Sequence, residues 1–168
     1  MKTAFSRKSV MKKCLTLVFS VFFLCAMMVP DTAGAAYYSS YITMAKLPDA
    51  HGCTAAQGFA VGSNYAYSIK IKKDGTRAVL YRTRLKDGKT ELMKNGDNGT
   101  TYATYLGHGN DIALHSNDGK YYMFVVTMKK GSMSLVKLRY VGNAFYKVGN
   151  YAIKYKGSAM ENISGVAI

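Results

Sequence analysis

Along most of the chain, hydrophobic and polar residues alternate and do not recur at helical spacing. In Tyr65-Ala66-Tyr67-Ser68-Ile69-Lys70-Ile71-Lys72 the large apolar side chains fall on odd positions and the small or charged ones on even positions. A period of two predicts a strand with one face buried and the other solvated. Similar runs rich in Val, Ile, Tyr, Phe and Thr continue toward the C-terminus. Turn sequences separate them: Gly62-Ser63-Asn64, Asp74-Gly75, Asp87-Gly88, Asn95-Gly96, Asn98-Gly99, Asn117-Asp118-Gly119, Lys130-Gly131 and Gly142-Asn143. Asp-Gly and Asn-Gly supply the positive φ angles of tight hairpins. The pattern predicts strands over 57–61, 64–72, 77–85, 89–94, 101–106, 110–115, 120–128, 133–141 and 144–155, with Gly149 a candidate break in the last. Pro48 is the only proline after residue 35, as hydrogen-bonded ladders require.

The first 35 residues break this texture. Lys2, Arg7, Lys8, Lys12 and Lys13 precede an apolar run from Leu15 to Val29, Pro30 ends it, and Ala33-Gly34-Ala35 offers small residues to a signal peptidase. That order predicts a signal helix over residues 1–35, cleaved near Ala35-Ala36, and a secreted product. The apolar run of 15 residues is short of the ~20 that span a membrane. Cleavage leaves 133 residues, one modest domain. It also leaves a single cysteine, Cys53, which rules out an intramolecular disulfide. Such a thiol is buried, bridged to another chain or reactive, and burial as a small hydrophobe is the simplest of these.

The strand region repeats. Gln57-Gly58-Phe59-Ala60-Val61, Asn110-Asp111-Ile112-Ala113-Leu114 and Ser164-Gly165-Val166-Ala167-Ile168 match at separations of 53 and 54 residues. Each unit holds about four strands, the size of a propeller blade. The expected architecture is therefore all-β, with antiparallel four-stranded propeller-like blades. An extended segment over 36–56 leads into one blade over 57–109 and a second over 110–163, and the first strand of a third begins at 164–168. Two blades and one strand do not close a ring, because propellers need at least four. The expectation is an incomplete chain or a gene fragment; the alternatives are a chain that self-associates through an open sheet edge and an architecture that is not a ring.

Ala55-Ala56-Gln57-Gly58-Phe59-Ala60-Val61 with Asn64-Tyr65-Ala66-Tyr67, and then Gly107-His108-Gly109-Asn110-Asp111-Ile112-Ala113, resemble the repeats of the helveticin J-like family. The resemblance covers roughly Ala55 to the C-terminus and matches only an N-terminal portion of those longer proteins. It implies a secreted, propeller-like, bacteriocin-like protein, and bacterial killing as the family activity.

Charge narrows the class of partner. Beyond residue 35 the chain carries 18 Lys/Arg against 8 Asp/Glu, a formal +10. Long-range attraction draws such a chain to anionic surfaces, which outside a cell are wall polymers, lipid headgroups and polysaccharides. Lys70, Lys72, Arg77, Arg82, Arg84, Lys137 and Arg139 are the expected contacts. Aromatic-basic runs such as Tyr81-Arg82-Thr83-Arg84 and Lys137-Leu138-Arg139-Tyr140 suit nucleic acid or sugar rings as well as a solvated outer strand; no specific nucleic acid is expected. The polar residues ahead of the repeated segments, His51, Gln57, His108, Asn110, Asp111, Asn162 and Ser164, would gather at one mouth of a propeller channel. His108 with Asp111 is the one candidate acid/base pair for a wall or polysaccharide hydrolase. Against it, Asn110 and Asp111 suit the capping of backbone groups between units. His51, His108 and His115 lack metal-ligand spacing, and neither a metal nor a cofactor is expected. The leading expectation is a non-enzymatic, secreted binding module.

Overall fold

A computed structural model describes residues 42–128, 134–160 and 163–168. The expected signal helix, the start of the extended segment, the turn at Lys130-Gly131 and Asn162 lie outside the described residues.

Where the sequence alternates, the chain forms antiparallel ladders. β1 (Ala55–Val61), β2 (Tyr65–Ile71), β3 (Ala78–Arg84) and β4 (Thr90–Leu92) pair in chain order as one meander. β5 (Lys94–Asn95) leaves this sheet and lies parallel to β9 of a second sheet, whose meander is β6 (Asp111–Asn117), β7 (Lys120–Val126), β8 (Ser134–Val141) and β9 (Ala144–Ala152). A hairpin of β10 (Lys154–Tyr155) and β11 (Ser158–Ala159) follows. Gly75 and Gly119, with φ of +69° and +70°, close the β2–β3 and β6–β7 connections in a conformation that other L-residues rarely adopt.

Four predicted strands differ, and the run 144–155 divides at Ile153 between β9 and β10. The run 89–94 divides at Met93, which is fully buried and donates its N–H to the Leu80 carbonyl, so β4 stays with the first sheet and β5 joins the second. The run 101–106 is not a strand. Ala103 exchanges backbone hydrogen bonds with Ala78 at an isolated bridge, the Tyr102 carbonyl accepts from the Asn95 amide, and Ala103 and Leu106 plug the core. Apolar spacing there reports core filling by an irregular segment. Residues 164–168 also carry no strand, although the Val166 N–H donates to Asp111 Oδ2 at 2.9 Å.

The two meanders stack face to face. Tyr67, Ile69 and Ile71 of β2 with Ala78 and Leu80 of β3 meet Ile112, Met123, Val125, Val136, Leu138 and Phe145 of the second sheet. Each large side chain buried this way is worth about 1.5–3 kcal/mol. β1 and β6 lie side by side in this stack, and Gly58 makes that possible: a Cβ there would meet the Gly109 carbonyl oxygen and the Ile112 side chain.

The half-solvated strand expected at β2 is in fact covered on both sides. Ala66, Ser68 and Lys70 are as buried as their odd-numbered neighbours. The segment over 42–53 accounts for much of this, because Leu47, Ala50 and Cys53 pack on Val79 and Tyr81. The Tyr81 hydroxyl donates to the Pro48 carbonyl at 2.6 Å, and Lys70 pairs with Asp49 and donates to the Leu47 carbonyl. Cys53 is fully buried and unbridged, its thiol donating to the Arg77 carbonyl, and burial pushes its pKa up. It is a packing residue. The same outward face stays open at the β1 edge, where Phe59 and Val61 are 58% and 56% exposed.

Two outcomes test this architecture. Gly58→Ala is expected to cost about 1–3 kcal/mol by wedging β1 from β6. Urea unfolding checks it, and an unchanged midpoint would disprove the close approach. The second concerns acid. The Arg84 guanidinium, followed by the Lys89 N–H, holds the Asp87 carboxyl down at about 2 against an ordinary 3.8. A depressed folded pKa contributes stability above the unfolded value and loses it as pH falls through the folded one. The stability advantage of wild type over Asp87→Asn should therefore be constant near neutrality and shrink between about pH 4 and pH 2. Thermal melts across that range that kept a constant gap would contradict it.

Candidate functional site

The hairpin turns at one end of the stack frame a cleft between the sheets of about 490 Å³. The β1–β2 turn contributes Gly62, Ser63 and Asn64, the β6–β7 turn Gly119 with Lys120 at the start of β7, and the β8–β9 turn Gly142 with Val141 at the end of β8. The meander geometry delivers four tyrosines to it: Tyr65 and Tyr67 from β2, Tyr121 from β7 and Tyr140 from β8. Arg82 of β3 and Arg139 of β8 complete the lining, which contains no carboxylate.

The rings are fixed by one another. Tyr67 and Tyr140 lie 5.0 Å apart between centroids and Tyr121 and Tyr140 5.7 Å, within the separations that aromatic pairs favour. Burial pushes the Tyr67 hydroxyl well above the ordinary tyrosine range, helped by its neighbour Tyr140, and burial raises Tyr140 as well. Both are hydrogen-bonding neutral phenols at any physiological pH, not bases. Arg82 stacks 4.5 Å over the Tyr65 ring and pairs with Glu91 at 2.6 Å, while its Nε–H is buried with no acceptor among the described residues. A buried donor without a partner is uncommon and costly. The cleft thus offers aromatic faces, neutral hydroxyls and cationic donors.

The residues singled out in the sequence scatter. Arg82 and Arg139 reach the cleft. Arg84 stands beside it and is held by both carboxylate oxygens of Asp87, at 2.9 and 2.5 Å. Lys137 lies on the outward face of the second sheet, over Tyr122 and Phe124. The seven cations therefore form no single patch: Lys70, Lys72, Arg82 and Arg84 have carboxylate partners, and Arg77 stacks on Tyr102.

Of the polar residues expected at a channel mouth, Asp111, Asn110 and His51 have other partners. Asp111 accepts the Ile112 N–H on Oδ1 and the Val166 N–H on Oδ2, both at 2.9 Å. Its carboxylate ties two of the repeated segments together, the capping role weighed against catalysis. Asn110 contacts the Met128 sulfur, and the exposed His108 ring packs beside Gly75 of the β2–β3 turn. His51 bonds Thr101 Oγ1 at 2.7 Å and tilts against Tyr102, while Gln57 is exposed on the edge strand β1. Among the described residues no group of three His, Cys, Asp or Glu could hold a metal.

Sequence reasoning missed Tyr65, Tyr67, Tyr121, Tyr140 and Lys120 as site residues. The available signal was their position: each lies within three residues of a glycine-bearing turn, and meander topology sends alternate turns to one end. Compared with family models, with curated proteins and with solved structures, the chain finds no match.

Proposed function

We propose that this is a secreted, non-enzymatic binding module of two propeller-type blades, acting at an anionic wall polymer or carbohydrate surface in the manner of helveticin J-like proteins. The blade reading draws support from two antiparallel meanders of the same strand order, stacked by their faces with β1 beside β6. The binding reading rests on one observation above all. Four tyrosines and the cations Arg82, Lys120 and Arg139 converge on a cleft whose lining has no acid. Tyrosine faces suit sugar rings, and cations with a buried unsatisfied N–H suit their anionic substituents.

Pull-down on purified Gram-positive cell wall, repeated with rising salt, tests this. Wild type should bind at low salt and release as salt screens the charges. Tyr140→Ala should bind about tenfold more weakly, a loss of about 1.4 kcal/mol. Absence of binding at low salt, or a Tyr140→Ala protein equal to wild type, would refute the cleft as the binding site.

A further inference from the structure

The two sheets carry the same cation-on-ring arrangement, and only the first neutralises it. In the first sheet Ala60 faces Tyr67, Tyr67 faces Arg82 and Tyr65 faces Arg84. In the second sheet Ala113 faces Phe124, Phe124 faces Lys137 and Tyr122 faces Arg139. The diagonal stack recurs as well, with Arg82 4.5 Å over Tyr65 and Lys137 Nζ 4.2 Å over Tyr122. Arg139 adds a stack over Tyr146 at 5.5 Å. The carboxylates do not recur. Arg82 faces Glu91 across the ladder, and Lys137 faces Gly149. Arg84 is held by Asp87 three residues on in its hairpin turn; three residues beyond Arg139 stands Gly142. All ion pairs among the described residues belong to the first sheet and the segments around it.

We propose that the outward face of the second sheet, built on Tyr122, Phe124, Lys137 and Tyr146, with Arg139 at the boundary it shares with the cleft, is a second binding site for an anionic sugar polymer. The ligand class rests on the reading of the cleft; the site itself rests on the repeat. Cations stacked on rings and freed of internal carboxylates attract a polyanion whose sugar rings meet the aromatic faces. A second copy of this chain is the poorer complement. Its open face at Phe59 and Val61 is apolar, Asp49, Asp74, Asp87 and Glu91 are already ion-paired, and the exposed acids outside those pairs among the described residues, Asp97 and Asp118, sit singly on separate turns. Two sites on one chain would let a long polymer be held at both, with avidity beyond either alone.

Calorimetric titration with short oligogalacturonate at low salt, alongside neutral dextran as control, decides the matter. Wild type should show two sites per chain. Lys137→Gln should remove the outer one and keep the other, and Tyr140→Ala should do the reverse. In the Tyr140→Ala background, Gly142→Asp restores a carboxylate near Arg139. It should weaken the remaining site by about threefold to tenfold. Gly157→Asp, an equal charge change at the β10–β11 hairpin, should not. Both glycines have positive φ, of +58° and +83°, and open space around an added Cβ, so strain is comparable. A single site indifferent to Lys137→Gln overturns the second site and leaves the cleft standing. A single site lost in Lys137→Gln and unaffected by Tyr140→Ala upholds the outer face and refutes the cleft. Sedimentation showing that Lys137→Gln abolishes only a self-association, with glycan binding intact, overturns the proposal in favour of a contact between copies.

Discussion

The face-to-face burial of two meanders supports every other feature of the molecule, and it depends on how closely β1 and β6 approach. Gly58 presses against the Gly109 carbonyl and Ile112, and that thin contact lets Tyr67, Ile69 and Leu80 interlock with Met123, Val125 and Leu138. Close-packed interiors tolerate little slack, so the spacing set where the edge strands β1 and β6 meet constrains the rest of the stack. The cleft is the outward end of the same packing. Its four tyrosines lie where the two faces diverge enough to leave space yet stay near enough to share rings.

Asp111 shows how one carboxylate can be structural where its type suggests chemistry. It stands at the same place in its unit as Gly58 in the first and Gly165 in the last matched segment. Gly58 touches the backbone around Asp111, and the Asp111 carboxylate in turn accepts the N–H of Val166, next to Gly165. Successive matched segments therefore meet through Gly58, Asp111 and Val166.

Electrostatics divides the two units more sharply than packing does. The first sheet pairs its cations internally, partly because Lys70 is buried and must be paired to be tolerated. The second sheet stacks its cations on rings and leaves them available. A net positive charge read from composition does not reveal this division, since paired and unpaired lysines count alike.

The sequence by itself determined the all-β class, the hairpin turns and most strand positions, because alternation and turn chemistry act over a few neighbouring residues. It also determined the repeat, and with it the equivalence of Phe59-Ala60-Val61 and Ile112-Ala113-Leu114 that the ladders follow. Only the tertiary structure decided which face of β2 meets which partner, why Met93 ends one sheet and β5 begins in another, and why 101–106 fills core without pairing. It alone brought Tyr65, Tyr67, Tyr121 and Tyr140 into one cleft, and it alone showed Asp111 committed to backbone donors. The reason is range: alternation fixes the side of a strand a residue occupies, whereas a site joins residues whose separation in sequence, from Tyr65 to Tyr140, is bridged only when two sheets close on each other.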